Sequence, residues 1–151
     1  MTPENPAAPP DPFDLARFVR AQNSVYEQAL AELQRGRKES HWMWFIFPQI
    51  DGLGRSTTAR QFAIKSKAEA KAYLEHPLLG PRLLKCCEAL LNVQNASASE
   101  IFGFPDDLKL RSSATLFGAV AGPGSKFDRV LKRFFAGEPD PQTIDLLSET
   151  A

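Results

Sequence analysis

The sequence predicts an all-α protein, a single domain of about six to eight irregularly packed helices. The clearest observation is an apolar stripe from Phe127 to Phe135 at the i, i+3, i+4, i+7 and i+8 spacing of a helix. A second is the capping-box pattern, which marks a helix start and occurs at Ser66–Glu69 and again at Ser97–Glu100. A third is that no segment alternates apolar and polar residues with the Val, Ile and Thr enrichment of a strand.

The first half of the chain predicts three helices. The first is expected to run from Asp14, a suitable N-cap, to Gly36, a residue type that often follows a last turn. Its apolar face carries Leu15, Phe18, Val19, Gln22, Val25, Tyr26, Ala29, Leu30 and Leu33. A second helix is expected from about Thr57. The third opens at Ser66 and stops near His76-Pro77, because proline disfavours a helical residue before it.

In the second half of the chain, proline and glycine residues mark the predicted helix boundaries. Pro81 opens a helix whose buried side is expected to carry leucines and Cys87, and a brief turn follows Ser97. Pro105 opens a longer helix that the Gly122–Gly124 segment stops. The Phe127 stripe follows, and Pro141 opens a last short helix. Residues 1–12 contain five prolines and little that could pack, so they predict a flexible tail before one helical domain over 13–151.

Bulk composition excludes several classes of partner. Eighteen basic residues balance eighteen acidic ones, so no global field favours nucleic acid or an anionic membrane. The longest apolar run is six residues, against about 20 for a membrane span. No secretory signal is visible at the N-terminus. Cys86 and Cys87 are neighbours and suit a disulfide framework badly. The prediction is a cytoplasmic protein with neither nucleic-acid nor membrane partners.

The stretch from Ser40 to Gln49 is the first candidate for chemistry, since Trp42 to Phe47 has no polar face and must be covered or meet a partner. Trp42 could contact a planar ligand, and the His41 imidazole could act as an acid or base. The alternative is that both indoles belong to the core and His41 orders a helix start. The Trp42–Phe47 run could also form a strand.

The second candidate is the glycine loop after this stretch. Gly52 and Gly54 free the backbone to direct N–H groups toward an anion, and Arg55 adds a charge. A helix starting after Ser56 would add its positive end. The alternative is a tight turn in which Ser56 is a plain N-cap.

The third candidate lies on the helix that Pro105 opens. Lys109 shares a predicted face with Asp106 and Ser113, and together with Ser112 it predicts a second anion-binding group. The alternative is a solvated face on which Asp107 pairs with Arg111 at i, i+4. No cofactor or metal site is predicted, because the chain has no complete P-loop, no HExxH and no convincing set of zinc ligands.

Five blocks of the sequence resemble a bacterial family of uncharacterised domains: SHWMWFIFPQ, GLGRS, YLEHPLLGPRL, IFGFPDDLKLRSS and TLF. The resemblance covers residues 13 to 147, with Phe62 where a tyrosine is usual and Ala114 where a methionine is usual. It implies a helical fold and no established activity. Some relatives are called calpastatins, but calpastatins are disordered repeat inhibitors, whereas capped helices and eleven phenylalanines predict a folded chain.

Two functional hypotheses follow from these blocks. In the first, the protein binds a small anionic ligand that bears a phosphate or a nucleotide, and convergence of His41, Lys109 and Ser112 would permit group transfer or hydrolysis. In the second, it is an interaction or homo-oligomerisation module that buries the Trp42–Phe47 segment between chains. Both hypotheses are compatible with the sequence, and so are an enzyme and a protein that only binds.

Overall fold

A computed structural model of the protein describes residues 10–150, and this part of the chain forms ten helices in one domain. They are α1 (Ala16–Asn23), α2 (Tyr26–Gln34), α3 (Met43–Ile46), α4 (Thr57–Gln61), α5 (Lys67–Glu75), α6 (Leu79–Asn92), α7 (Ala98–Phe102), α8 (Asp106–Ala121), α9 (Lys126–Phe135) and α10 (Pro141–Glu149). The all-α prediction is confirmed. Its helix count was low, because one predicted helix is two and the Trp42–Phe47 run contains another.

The predicted first helix is interrupted at Ser24, where α1 ends before α2 begins at Tyr26. Asn23 and Ser24 are weak helix formers, since their side chains compete for backbone hydrogen bonds. The predicted N-cap, Asp14, is also wrong: it has a φ of +51° and does not cap α1. Asp11 does so instead, accepting the Leu15 and Ala16 N–H groups at 2.8 and 3.0 Å. Asp11 falls in the predicted tail, most of which lies outside the described residues.

Helix α8 is the centre of the fold. It packs against α5, α7, α9 and α10, and every residue from Ser112 to Phe117 is buried. A helix surrounded in this way needs small side chains where its neighbours approach, which explains Ser113 and Ala114 in the middle of the apolar core. The first two turns of α8 are less covered, and Leu108 is 48% exposed.

Aromatic rings connect the helices through the core. Edge and tilted contacts link successive ring pairs with centroids 4.8 to 5.7 Å apart. Their order is Phe45, Phe62, Phe18, Tyr73, Phe117 and Phe127. Such pairs contribute beyond the apolar area they bury. Phe62, which occupies a position where a tyrosine is usual in the family, is therefore one of the rings that form these core contacts.

The one β-bridge within residues 10–150 is parallel and joins Ile50 to Ile64. The Ile64 N–H donates to the Gln49 carbonyl, and the Asp51 N–H donates to the Ile64 carbonyl, both at 2.8 Å. This bridge fixes the segment after α3, which leads into the glycine loop, beside the segment that follows α4.

Candidate functional site

One face of the first turns of α8 forms a wall of an open cleft of about 350 Å³, which we call the α8 cleft. Pro105, Leu108, Lys109 and Ser112 lie at i, i+3, i+4 and i+7, so they share that face. The glycine loop and the beginning of α10 supply the other walls. The complete lining is Gln49, Leu53, Gly54, Pro105, Leu108, Lys109, Arg111, Ser112, Asp140 and Gln142.

A hydrogen-bonded pair forms a polar part of this lining. The buried Ser112 hydroxyl donates to the Leu108 carbonyl at 3.0 Å and accepts from Gln49 Nε2 at 2.9 Å. Because the Ile50–Ile64 bridge fixes the backbone beside Gln49, the pair ties the glycine-loop side of the cleft to α8. Gln49 is the last residue of the SHWMWFIFPQ block, and the sequence analysis did not predict a role for it.

The Lys109 ammonium is held in place at the same wall. Its Nζ lies 3.4 Å from Asp106 Oδ1 and 5.2 Å from the centroid of the Trp44 ring. The second Asp106 oxygen lies 2.9 Å from Nζ of Lys38, which also donates to the Ser40 carbonyl at 2.6 Å. The Asp106 carboxylate therefore forms ion pairs with both the Lys38 and the Lys109 ammonium groups. The predicted Asp106–Lys109 face is present, and the Lys38 side chain beside it is nearly buried.

Arg111 does not form the predicted pair with Asp107. Its Nε and one terminal nitrogen donate to the Glu138 and Pro139 carbonyls at 2.9 and 3.0 Å. It thereby ties the segment between α9 and α10 to α8, and this positions Asp140 and Gln142 at the cleft. The i, i+4 spacing suggested Asp107 as the partner of Arg111. The guanidinium instead reaches two carbonyls of a neighbouring loop, and two such hydrogen bonds are more favourable than one exposed ion pair.

Arg55 and Gly52 line a second, adjoining cleft of about 310 Å³. Its lining is Gly52, Leu53, Arg55, Gln142, Asp145 and Leu146, and it shares Leu53 and Gln142 with the α8 cleft. Ser56 caps α4 as its alternative interpretation predicted, accepting the Ala59 N–H at 3.1 Å. Helix α4 has only five residues, so its positive end is a weak contribution.

Both glycines of the loop have a structural explanation. A Cβ on Gly54 would lie 2.5 Å from the Ala59 Cβ, so the loop and α4 can approach this closely only at a glycine. Gly52 has a φ of +110°, which L-residues rarely adopt. The observed packing therefore accounts for both residues without a ligand.

Trp42 does not contact a cleft, which corrects its assignment as a ligand-binding residue. Its side chain is fully buried, and its indole N–H donates to Glu32 Oε1 at 2.9 Å. The half-buried indole near the α8 cleft is Trp44, which carries the Lys109 ammonium on its face. The burial of Trp42, Met43, Ile46 and Phe47 within the chain also removes most of this segment as a surface between chains.

Neither His41 nor Ser113 lines either of the two clefts. His41 is exposed, whereas Lys109 and Ser112 both line the α8 cleft. Ser113 is 1% exposed and is surrounded by the core of α8. The structure thus brings Gly54, Lys109 and Ser112 together, with Gly52 and Arg55 in the adjoining cleft.

A buried carboxylate organises the segment before α3. Glu32 accepts from the Glu39 and Ser40 N–H groups, the Ser40 hydroxyl, the Trp42 indole and Gln28, over 2.5 to 3.2 Å. We call this group the Glu32 centre. Burial acts to raise the pKa of the Glu32 carboxyl, but the hydrogen bonds outweigh it and lower this pKa to about 2. Sequence reasoning missed Glu32 because an isolated glutamate on a helix usually lies in solvent.

Within residues 10–150, no group of three or more His, Cys, Asp or Glu side chains is arranged to hold a metal ion. None of the described helices is both long enough and apolar enough to cross a membrane. Cys86 and Cys87 are free thiols on α6, and burial raises the pKa of both, to about 12 for Cys86. Neither thiol has the depressed pKa of a nucleophile.

The chain matches one protein family over residues 12–147, a family described as proteins of unknown function, DUF1810. The chain belongs to the DUF1810 family. The crystal structure of the conserved hypothetical protein Rv1873 from Mycobacterium tuberculosis is 51% identical, with a TM-score of 0.90. The alignment covers 91% of this chain and 99% of that one. None of the curated proteins compared with the chain matches it.

The DUF1810 match confirms that the chain belongs to an uncharacterised family, as the sequence blocks suggested, over nearly the predicted range. It spans all helices from α1 to α9 and most of α10, so the α8 cleft and the Glu32 centre both lie within the family region. The DUF1810 domain is therefore the unit in which a function for these features has to be sought.

Proposed function

We propose that this protein binds a small anionic ligand bearing a phosphate or a nucleotide in the α8 cleft, with Lys109 holding the anion. The observation that supports the proposal is the meeting of two separate sequence blocks at one open cleft. Gly54 comes from the glycine loop, and Lys109 and Ser112 come from α8. An ammonium group beside hydroxyl and carboxamide groups, with open space in front of them, is suited to a phosphate.

The charges around the cleft favour an anion. Asp106 is shared by Lys38 and Lys109, so these three side chains together carry one positive charge. Arg111 adds a second cation. The only carboxylate in the cleft lining belongs to Asp140, which accepts from both the N–H and the hydroxyl of Thr143 as the N-cap of α10. The residues that line the cleft therefore carry an excess of one positive charge, with the Glu138 carboxylate 3.9 Å from Arg111 outside the lining.

The proposal concerns binding in the cytoplasm and does not include a reaction. His41, the predicted acid or base, lies outside the cleft lining, so its catalytic role stays a prediction. If His41 does act, His41→Ala should abolish turnover of a bound ligand while leaving its affinity unchanged. Equal turnover in both proteins would contradict a role in catalysis.

The experiment is a thermal-shift screen against nucleotides, sugar phosphates, ADP-ribose and dinucleotides. A ligand at a hundred times its Kd should add about 2.7 kcal/mol to the free energy of unfolding. Trp44 provides a second readout, because its ring lies against Lys109 and its fluorescence should change on binding. Trp42, buried with its N–H bonded to Glu32, should contribute a constant background.

Two variants locate the site. Lys109→Gln should abolish the thermal shift, and Arg55→Ala should reduce it only for ligands that reach the adjoining cleft. Lys71→Gln, at an exposed lysine on α5, is the matched control and should leave the shift unchanged. A shift that survives in Lys109→Gln, or the absence of any shift with every compound, would contradict the proposal.

A second candidate function is self-association, and one observation favours it. Phe104 is 79% exposed and Leu108 is 48% exposed, and both lie within the same short stretch before and in the first turn of α8. A second copy of the chain could cover them. Sedimentation of the protein and of Phe104→Ser at micromolar concentrations tests this, since a monomer in both samples excludes it.

A further inference from the structure

We propose that the ligand of the α8 cleft is a nucleotide, bound with its base against an apolar wall and its phosphate at Lys109. This inference rests on the proposed function and specifies its ligand class. Only four large apolar side chains are exposed among residues 10–150, and two of them, Phe104 and Leu108, are four residues apart in sequence. Leu108 lines the α8 cleft, and Phe104 directly precedes Pro105, which also lines it.

The α8 face is divided into two kinds of surface. Pro105 and Leu108 form its apolar N-terminal part, with Leu53 lining the cleft from the glycine loop. Lys109 and Ser112 follow on the same helix face and form its polar part. A ligand complementary to this face needs an apolar surface and an anion within a few ångströms of each other, since adjacent residues of a helix differ by about 1.5 Å in rise.

Carboxamide groups distinguish a nucleobase from a simple hydrocarbon. Gln49 donates one N–H to Ser112, and its carboxamide has a second N–H and an oxygen to offer. Gln142, an exposed residue of α10, brings another carboxamide to the lining. Glutamine can both donate to and accept from the edge of a base, as it does with adenine. An acyl chain would offer no hydrogen bond to the Gln142 carboxamide or to the free N–H and oxygen of Gln49, at a cost in affinity.

The size of the cleft agrees with a ligand of this class. About 350 Å³ lies at the lower end of the range for small-molecule sites, and the adjoining cleft of about 310 Å³ continues past Leu53 and Gln142. A single nucleoside phosphate is therefore matched to the α8 cleft alone. A second phosphate or a longer ligand would extend toward Arg55, which lines the adjoining cleft.

The test is a titration series by calorimetry at constant ionic strength, with inorganic phosphate, ribose 5-phosphate, adenosine and the four nucleoside monophosphates. At least one monophosphate is expected to bind about tenfold or more tightly than ribose 5-phosphate, a difference of about 1.4 kcal/mol. Leu108→Ser should remove this difference and leave the affinity for ribose 5-phosphate unchanged. Lys109→Gln should remove detectable binding of both compounds.

Ile144→Ser is the matched control for Leu108→Ser, because Ile144 is 44% exposed and lines neither of the two clefts. Both substitutions should leave folding intact, and Phe104→Ala provides a second variant on the apolar side. If ribose 5-phosphate binds as tightly as every monophosphate, or if Leu108→Ser changes nothing, the nucleotide inference is overturned and the proposed anion site stands. If no phosphate compound binds, both fail.

Discussion

The Glu32 centre and the α8 cleft are both built from polar side chains beside the core, yet they use their hydrogen-bonding groups differently. In the Glu32 centre, five donors converge on one carboxylate, and they all come from the same chain. In the α8 cleft, Lys109, Ser112 and Gln49 are held by their neighbours but line open space of about 350 Å³.

The difference separates polar residues that stabilise the fold from those that are available to a ligand. A buried carboxylate with every oxygen engaged fixes the segment from Glu39 to Trp42 and has little left to offer another molecule. A half-exposed ammonium that rests on an aromatic ring is ordered before any ligand arrives, so a ligand would lose less free energy in ordering it. Substitutions in the two regions should therefore affect different quantities.

The largest effect is expected in the Glu32 centre. Glu32→Gln should lower the free energy of unfolding by about 3 kcal/mol, because hydrogen bonds to a charge are lost and an amide N–H₂ meets other donors. Urea unfolding measures this change. Glu39→Gln is the control, since its side chain is 59% exposed and its pair with Arg35 should contribute about 0.5 kcal/mol or less. Equal losses in the two variants would contradict a special role for the buried carboxylate.

The same carboxyl should make the fold sensitive to acid. Its pKa in the folded protein, about 2, is lower than its ordinary value of 4.5, so the folded state favours the ionised form. The stabilisation is therefore complete above the ordinary pKa and is lost as the pH falls toward about 2. Unfolding measured at about pH 6 and about pH 3 should show the gap between the wild-type protein and Glu32→Gln narrowing with acid. A gap that widens would reverse the inferred sign.

Inside the wall of the α8 cleft, Gly54 is expected to behave like a core position. Gly54→Ala should cost about 2 kcal/mol, because the new Cβ would lie 2.5 Å from that of Ala59 and the loop or α4 must shift. Gly118→Ala is the matched control within α8. Its Cβ would meet Phe127 at an ordinary 3.6 Å, so it should stabilise the protein by up to about 1 kcal/mol. Thermal unfolding distinguishes the two, and a neutral Gly54→Ala would show that the loop is adaptable.

The smallest effect on stability is expected where the proposed effect on binding is greatest. Lys109→Gln should change the free energy of unfolding by only about 0.5 kcal/mol, since its ion pair with Asp106 is partly exposed and Asp106 keeps Lys38. Chemical denaturation measures the change. A loss of about 3 kcal/mol would assign Lys109 to the same class as Glu32 and weaken the distinction between the two regions.

Local sequence signals determined much of the fold. The capping box at Ser97, the Ser66 cap, Pro105 and Pro141 at helix starts, and the Phe127 stripe all predict observed helices, because each depends on interactions within one or two turns. The break between α1 and α2 was not predicted, because the weak helix-breaking signal of Asn23 and Ser24 lies within a continuous apolar stripe. The Asp11 cap was not predicted either, because Asp11 lies in the proline-rich segment that was assigned to a flexible tail.

The candidate site was decided by tertiary structure. The sequence indicated Lys109, Ser112 and Gly54 as separate groups, and only the packing of the glycine loop beside α8 brings them to one cleft. Burial likewise made Trp42 a core residue and left Trp44 beside Lys109, although both indoles stand in one apolar run. Periodicity and caps are local, whereas the partner of a polar side chain depends on contacts between distant segments, such as Glu32 with Trp42 or Gln49 with Ser112.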